Sequence, residues 1–303
     1  MGKTSKDPKR VLLTAYEVGK GALPDFSHPR SPQTFTQPQL FACLVLKAFF
    51  QTDYRGVEGI LESLSELRET IGLTRTPHFT TLQKAEKRLL DKVSTRKLLQ
   101  QSIKRALTNH QMKRIVELAA IDGSGFESRH VSDHYLKRQN MTGATLWHSK
   151  YPKVGVLCDC SSHMTLAIAP GLGPSPDIGD FAELLKEAVR NLKLKFVVAD
   201  AGYDSERSHE LAREQLDIKS IIPPLIGRRS EKLPKGRWRR NMRLHFDKER
   251  YGQRWQVETV FSMAKRLLGS ALRARRRHAQ NRELRLKLLT LNIMLLLLFL
   301  FAQ

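Results

Sequence analysis

Apolar residues recur at helical spacing through the first third of the chain and at strand spacing after it. From Gln37, Pro38 suits a first helical turn, and Leu40, Leu44, Leu46 and Phe49 follow it. Val57, Ile60, Leu61, Leu64, Leu67 and Ile71 repeat at the same spacing until Gly72 stops them. A further helix is expected to begin near Thr80 or Thr81 and to carry Leu82, Ala85, Leu89 and Leu90. The first ten residues are basic and lack an apolar pattern, so residues 1–36 are read as a basic flexible arm and 37–112 as a helical domain. Arg68, Arg75, Lys84, Lys87 and Arg88 fall on the outer sides of these short helices. The arrangement is similar to a helix-turn-helix DNA-binding module, although any small helical bundle shares it.

After Lys113 strands alternate with helices. Val116 to Ile121 is an apolar run ending at Asp122, and Val154 to Leu157 and Met164 to Ala169 read as two further strands of an antiparallel meander. Asp180 is placed to cap a helix with Glu183 three residues on, and Phe181, Leu184, Leu185, Ala188, Val189 and Leu192 give that helix one apolar stripe. Phe196 to Ala199 is the next strand, ending at Asp200. Ser205 to Gln215 is a helix for which Asp204 is the expected cap, and Ile218 to Ile222 is the last strand before Pro223 and Pro224. Three strands, a helix, a strand, a helix, a strand and a long helix match the ribonuclease H-like arrangement. The expected class is therefore α/β, a mixed five-stranded sheet flanked by helices behind the N-terminal helical, helix-turn-helix-like domain. Residues 113–303 would form this second domain, with a basic insertion near 225–246 and a C-terminal apolar helix. In such a sheet the first and fourth strands lie side by side, so Asp122 and Asp200 would meet where ligands gather, beyond the strand ends.

Tyr251 to Leu268 supplies the third acid. At about 100° per residue, Tyr251, Arg254, Glu258 and Lys265 fall within a sector of roughly 60°. Val257, Val260, Phe261, Ala264, Leu267 and Leu268 occupy the other side, which would pack on the sheet. A local ion pair between Arg254 and Glu258 also fits this spacing and does not exclude a chemical role.

Composition narrows the partner. Lys and Arg outnumber Asp and Glu by 52 to 30 in 303 residues, a formal charge of +22, which suits a polyanion. A hydrophobic share of 41% excludes wholesale disorder. Two basic runs flank the acid-bearing helix. Arg228, Arg229, Lys232, Lys235, Arg237, Arg239, Arg240 and Arg243 surround Trp238, and Arg273, Arg275, Arg276 and Arg277 follow the helix. They read as a DNA track whose binding weakens steeply with salt. The three cysteines and the lack of a leader-like apolar run point to a reducing, cytoplasmic setting. Cys158, Cys160 and His163 invite a zinc site, but no second ligand pair follows and the segment alternates like a hairpin. Leu288 to Ala302 is very apolar yet shorter than the about 20 residues a spanning helix needs, so it is read as a buried helix and no membrane association is expected.

Tyr251, Arg254, Glu258 and Lys265 reproduce the tyrosine-x2-arginine-x3-glutamate-x6-lysine signature of bacterial insertion-sequence transposases of the DDE type. Ile121-Asp122-Gly123-Ser124 and Asp200-Ala201-Gly202-Tyr203-Asp204 resemble that family's two aspartate blocks, and the stretches around Gln39, Tyr54 and Pro77 to Leu82 resemble its helical leader. The resemblance implies metal-dependent nicking of element ends and joining of the 3′-hydroxyls to target DNA. It implies two Mg²⁺ ions, with Mn²⁺ able to substitute, Asp122 bridging them and Asp200 and Glu258 holding one each. Tyr251, Arg254 and Lys265 would hold the end DNA, with further contacts from Arg237, Trp238, Arg239, Arg240, Arg273, Arg275 and Arg276. The partner would be double-stranded DNA, bound by a homodimer or larger assembly at the bacterial nucleoid, with no small-molecule substrate. A catalytically silent regulator derived from a transposase and a ribonuclease H-like nuclease are the competing readings. A tyrosine recombinase built on Tyr251 would leave the acids unexplained.

Overall fold

The computed structural model describes residues 6–128, 150–225 and 233–297. They form two compact units, one from residues up to Gln111 and from Met263 onward, the other from Met112–Glu127 and from residue 150 to Ser262.

The helical unit contains α1 (Pro8–Ala22), α2 (Gln37–Phe49), α3 (Tyr54–Ser63), α4 (Ser65–Thr70), α5 (Phe79–Leu89) and α6 (Lys92–Thr108). The segment read as a flexible arm thus holds a helix: the Asp7 carboxylate caps it by accepting from the Lys9 and Arg10 amides, and Val11, Leu12, Ala15 and Val18 are buried. A capping box between Thr36 and Gln39 starts α2, and His78 rather than a threonine caps α5. Lys47 and Glu86 pair at 2.5 Å between α2 and α5. The α/β unit is a five-stranded sheet of β1 (Ile115–Gly125), β2 (Tyr151–Asp159), β3 (Thr165–Gly173), β4 (Lys193–Ala199) and β5 (Lys219–Ile221), in the order β3-β2-β1-β4-β5. The first three strands are antiparallel neighbours, and β4 and β5 extend the sheet in parallel from β1. This is the mixed ribonuclease H-like order expected from the pattern.

Helices of the α/β unit are α7 (Ile178–Ala188), α8 (Glu206–Glu210, continued by a wider π turn to Gln215), α9 (Arg237–Leu244), α10 (Lys248–Tyr251) and α11 (Trp255–Leu268), the last belonging to this unit as far as Ser262. Three local expectations change. α7 starts at Ile178, so Asp180 lies in its first turn instead of capping it. Ser205 caps α8 by accepting from the Ser208 amide, because Asp204 is engaged elsewhere. β1 runs to Gly125 because its pairing with β2 continues past the end of its pairing with β4.

The apolar tail forms α12 (Arg277–Leu296), which packs on α2 and α6 and so belongs to the helical unit, where the sequence reading had assigned it to the second domain. Leu284, Leu288 and Leu291 on it are fully buried, and Asn292 donates to Ser102 Oγ at 3.3 Å. No helix of the described residues is long and apolar enough to cross a membrane. Arg228, Arg229, Lys232 and residues 298–302 of the tail lie outside the described residues.

Candidate active site

Two neighbouring strands deliver one aspartate each to the same place. β1 and β4 run in parallel register from Ile115 opposite Lys193 to Ile121 opposite Ala199, and the next residues are Asp122 and Asp200. Asp122 is mostly buried, and its Oδ1 accepts from the Gly123 amide at 2.8 Å. Burial raises its pKa; the Gly123 amide and Arg254 pull it down, while Asp200 and Asp177 push it further up. Asp200, in extended backbone, starts the tight turn Ala201–Tyr203 by accepting from the Gly202 amide at 2.9 Å.

The third acid arrives on a broken helix. The spacing predicts one helix over Tyr251 to Leu268, but α10 ends at Tyr251 and a 3₁₀ turn at Gly252–Arg254 separates it from α11. The predicted face holds where it matters: Val257, Val260, Phe261, Ala264 and Leu268 are buried, Leu267 is half-buried and Glu258 is exposed. Arg254 joins the acids, with Nη1 donating to Asp122 Oδ2 at 3.1 Å and Nη2 donating to Glu258 Oε1. The Glu258 half of this bridge is the i,i+4 pair expected from the sequence, worth about 0.3–0.5 kcal/mol when exposed. The Asp122 half is better shielded, with side chains 24% and 18% exposed. Tyr251 stands edge-on to Phe246, ring centroids 5.0 Å apart. Lys265 lies two turns beyond Glu258 on α11.

Spacing alone did not reveal a second charged cluster behind Asp122. Lys153 of β2 is buried, pairs with Asp177 and donates to the Ser175 carbonyl at 2.8 Å. A Cβ on Gly123 would lie 2.3 Å from Asp177 Oδ1 and 2.9 Å from Lys153 Cε, so a side chain there would push the ends of both away. Below them Tyr203 is fully buried, and its hydroxyl has no hydrogen-bond partner among the described residues. Burial pushes that hydroxyl's pKa up, and Asp177, Asp122, Asp200 and Asp180 add to the effect. The one available signal was a lysine heading an otherwise apolar strand, Lys153 before Val154.

The candidate DNA contacts separate into two kinds. Arg239 is tied to Asp204 through Nε at 3.0 and 2.9 Å and Nη2 at 2.7 Å, and Trp238 donates to Glu214 at 2.7 Å between the guanidiniums of Arg213 and Arg237. Both hold α9 in place, whereas Arg237 and Arg240 are exposed. In the helical unit, Arg273 Nη2 donates to the Gln51 carbonyl at 2.6 Å, and Arg275 and Arg276 are exposed. The Cys158–His163 segment is a hairpin turn organised by Asp159, whose carboxylate accepts from Ser161 and Ser162, and His163 Nε2 lies 2.6 Å from Gln256 Oε1.

Among the described residues, no three His, Cys, Asp or Glu side chains stand close enough to enclose an ion. At the acids, the Arg254 guanidinium provides the positive charge between Asp122 and Glu258. The donor set itself is three carboxylates, the hard oxygen chemistry that suits Mg²⁺ or Mn²⁺. A family model described as the transposase DDE domain matches residues 117–293, more than half of the chain, and spans all three acids. No curated protein sequence matches the chain.

Proposed function

The chain belongs to the transposase DDE-domain family, and on that premise we propose that it nicks the ends of an insertion sequence and joins the freed 3′-hydroxyls to target DNA, using Asp122, Asp200 and Glu258. The family acts on DNA by phosphodiester cleavage and uses divalent metal ions. The observation that carries the residue assignment is the single guanidinium shared by Asp122 and Glu258, with Asp200 one strand away from Asp122. Asp122 and Glu258, 136 positions apart in the chain, thus share one guanidinium as their partner.

Asp122, Asp200 and Glu258 would hold two Mg²⁺ ions, which when bound offset the charge that builds on the attacking and leaving oxygens. The chain's own groups do the positioning. The Gly123 amide fixes the rotation of the Asp122 carboxylate, and the Gly202 amide does the same for Asp200. The Tyr203 hydroxyl, buried without a partner among the described residues and kept protonated by burial and by these acids, can offer a hydrogen bond but no proton. Arg254 balances the acids and carries a planar fork of donors that matches a phosphate as well as a carboxylate. Tyr251 and Lys265 are assigned to the phosphates of the end DNA. Water is the nucleophile for nicking and a DNA 3′-hydroxyl for joining, so no covalent protein intermediate is needed. Two ends must be handled together, which calls for at least a dimer on DNA.

The test is incubation with Mg²⁺, a plasmid target and duplexes ending in the inverted repeats that flank the coding region. Nicking followed by joined product supports the reading. Cutting without joining would instead assign a ribonuclease H-like nuclease, and binding without cutting a silent regulator.

A further inference from the structure

The helical unit contains a second basic feature, remote in sequence from the acids. A cavity of about 360 Å³ lies between the segment following α1 and one face of α5. Arg75, Lys84 and Arg88 line it, and no carboxylate does among the described residues. Its volume is at the lower end of the about 300–1,000 Å³ of ligand pockets.

Two of the three cations, Arg75 and Arg88, are held in place by neutral partners. Arg75 Nη2 donates to Thr34 Oγ1 at 3.0 Å, and its guanidinium lies over the Phe35 ring, 5.5 Å from the centroid. Arg88 Nε donates to Oε1 of the buried Gln37 at 3.2 Å, and Gln37 is itself anchored through Nε2 to the Pro24 carbonyl at 3.0 Å. Lys84 and Arg88 stand four residues apart on α5, a like-charge pair that costs an isolated helix a few tenths of a kcal/mol. Neutral partners orient two guanidiniums without cancelling their charge, which is the chemistry of an anion site. The Phe26 and Phe35 rings and the Ser27 and Ser31 hydroxyls also line it, groups that suit the apolar and polar faces of a sugar beside the anion.

We propose that this cavity takes a backbone phosphate of duplex DNA, with its sugar, giving the helical unit a sequence-independent grip. The inference rests on the DNA-processing reading above. The test uses the full chain and Arg75→Gln, Lys84→Gln and Arg88→Gln, singly and combined. A control triple variant, Lys9→Gln/Lys97→Gln/Lys104→Gln, removes the same charge from exposed positions elsewhere in the unit. Duplex binding is measured by fluorescence anisotropy between about 50 and 200 mM salt. The pocket triple variant should bind about 10- to 100-fold more weakly and flatten the log–log salt slope by about 1 to 3, with an unchanged melting temperature. The control should move both far less.

Equal shifts in the two triple variants overturn the proposal. So does an unchanged DNA affinity in the pocket variant combined with loss of a thermal shift caused by inorganic phosphate, which would make the occupant a small phosphate ester. If the parent binds no duplex at all, the DNA-processing reading fails and DNA is lost as the occupant. A parent that binds and nicks normally beside indifferent pocket variants fails the pocket alone.

Discussion

Arg254 reaches back across 132 residues to bond Asp122, its Nη1 lying 3.1 Å from Oδ2. The bond ties a turn at the start of the acid-bearing helix to the central strand of the sheet, and the same guanidinium also holds Glu258. Its removal therefore has a definite electrostatic signature. In Arg254→Ala the Asp122 carboxyl should titrate at higher pH than in the parent, because Arg254 is one of the two groups holding its pKa down against burial. NMR titration of the carboxyl carbon checks this, and unfolding should become easier by about 1–3 kcal/mol. Arg254→Lys should recover part of the stability but not the double contact, since an ammonium lacks the planar fork. An unchanged Asp122 titration in Arg254→Ala would show that the contact is not formed in solution.

Lys153 and Asp177 should behave as one unit. Lys153→Met leaves Asp177 uncompensated beside Asp122 and should destabilise the fold by about 1–3 kcal/mol, the partial exposure of Asp177 keeping the cost below that of a fully buried broken pair. Lys153→Met/Asp177→Asn should be more stable than Lys153→Met alone. A double variant as unstable as the sum of the single ones would contradict the pairing. Gly123→Ala should damage the same contact from the other side, because the new methyl would occupy the space of Asp177 Oδ1 and Lys153 Cε.

A buried histidine gives the stability of the α/β unit a pH dependence. His209 is fully buried against Ser220 Oγ at 2.7 Å, and its pKa is lowered from 6.5 to about 4, first by burial and then by Arg213. The unfolded chain takes up this proton below its ordinary pKa while the folded chain refuses it until about pH 4. Its contribution is thus complete above the ordinary value and declines as pH falls through that window. Chemical denaturation across these pH values should show up to one proton of linkage that is missing in His209→Asn. Identical slopes in parent and variant would contradict it.

The C-terminal helix should act as core of the helical unit. Leu291 is fully buried on α12, so Leu291→Ala should cost about 2–5 kcal/mol in urea denaturation. A cost below about 0.5 kcal/mol, the range of exposed positions, would show that α12 does not pack as described.

What the sequence made legible was whatever rests on period and order. Alternating strands and helices gave the sheet, and parallel pairing of β1 with β4 then brought Asp122 beside Asp200. Helical spacing predicted Arg254 and Glu258 on one side, and they do pair, although Arg254 lies in the 3₁₀ turn that begins at Gly252, ahead of the helix of Glu258. Long-range side-chain contacts were not legible. Nothing local ties Arg254 to Asp122, or Lys153 to Asp177, because each pair is made by the packing of separate elements. Asp204 looked like a helix cap for the same reason; its true partners are Arg239 and the Leu225 amide. The buried stripe Val11, Leu12, Ala15 and Val18 of α1 was present in the letters but hidden by the basic residues around it. The affiliation of α12 with the first unit depends on contacts with helices more than 150 residues earlier.

The central claim is that Asp122, Asp200 and Glu258 act together on a phosphodiester bond, and strand cleavage by their amide variants tests it most directly. Asp122→Asn, Asp200→Asn and Glu258→Gln should each retain duplex affinity within about threefold while nicking of element ends in Mg²⁺ or Mn²⁺ falls by about 10³-fold or more, the scale of losing a group essential to chemistry. Nicking at the parental rate in any one of the three would contradict the assignment of that acid, and in all three would remove the active site from this end of the sheet.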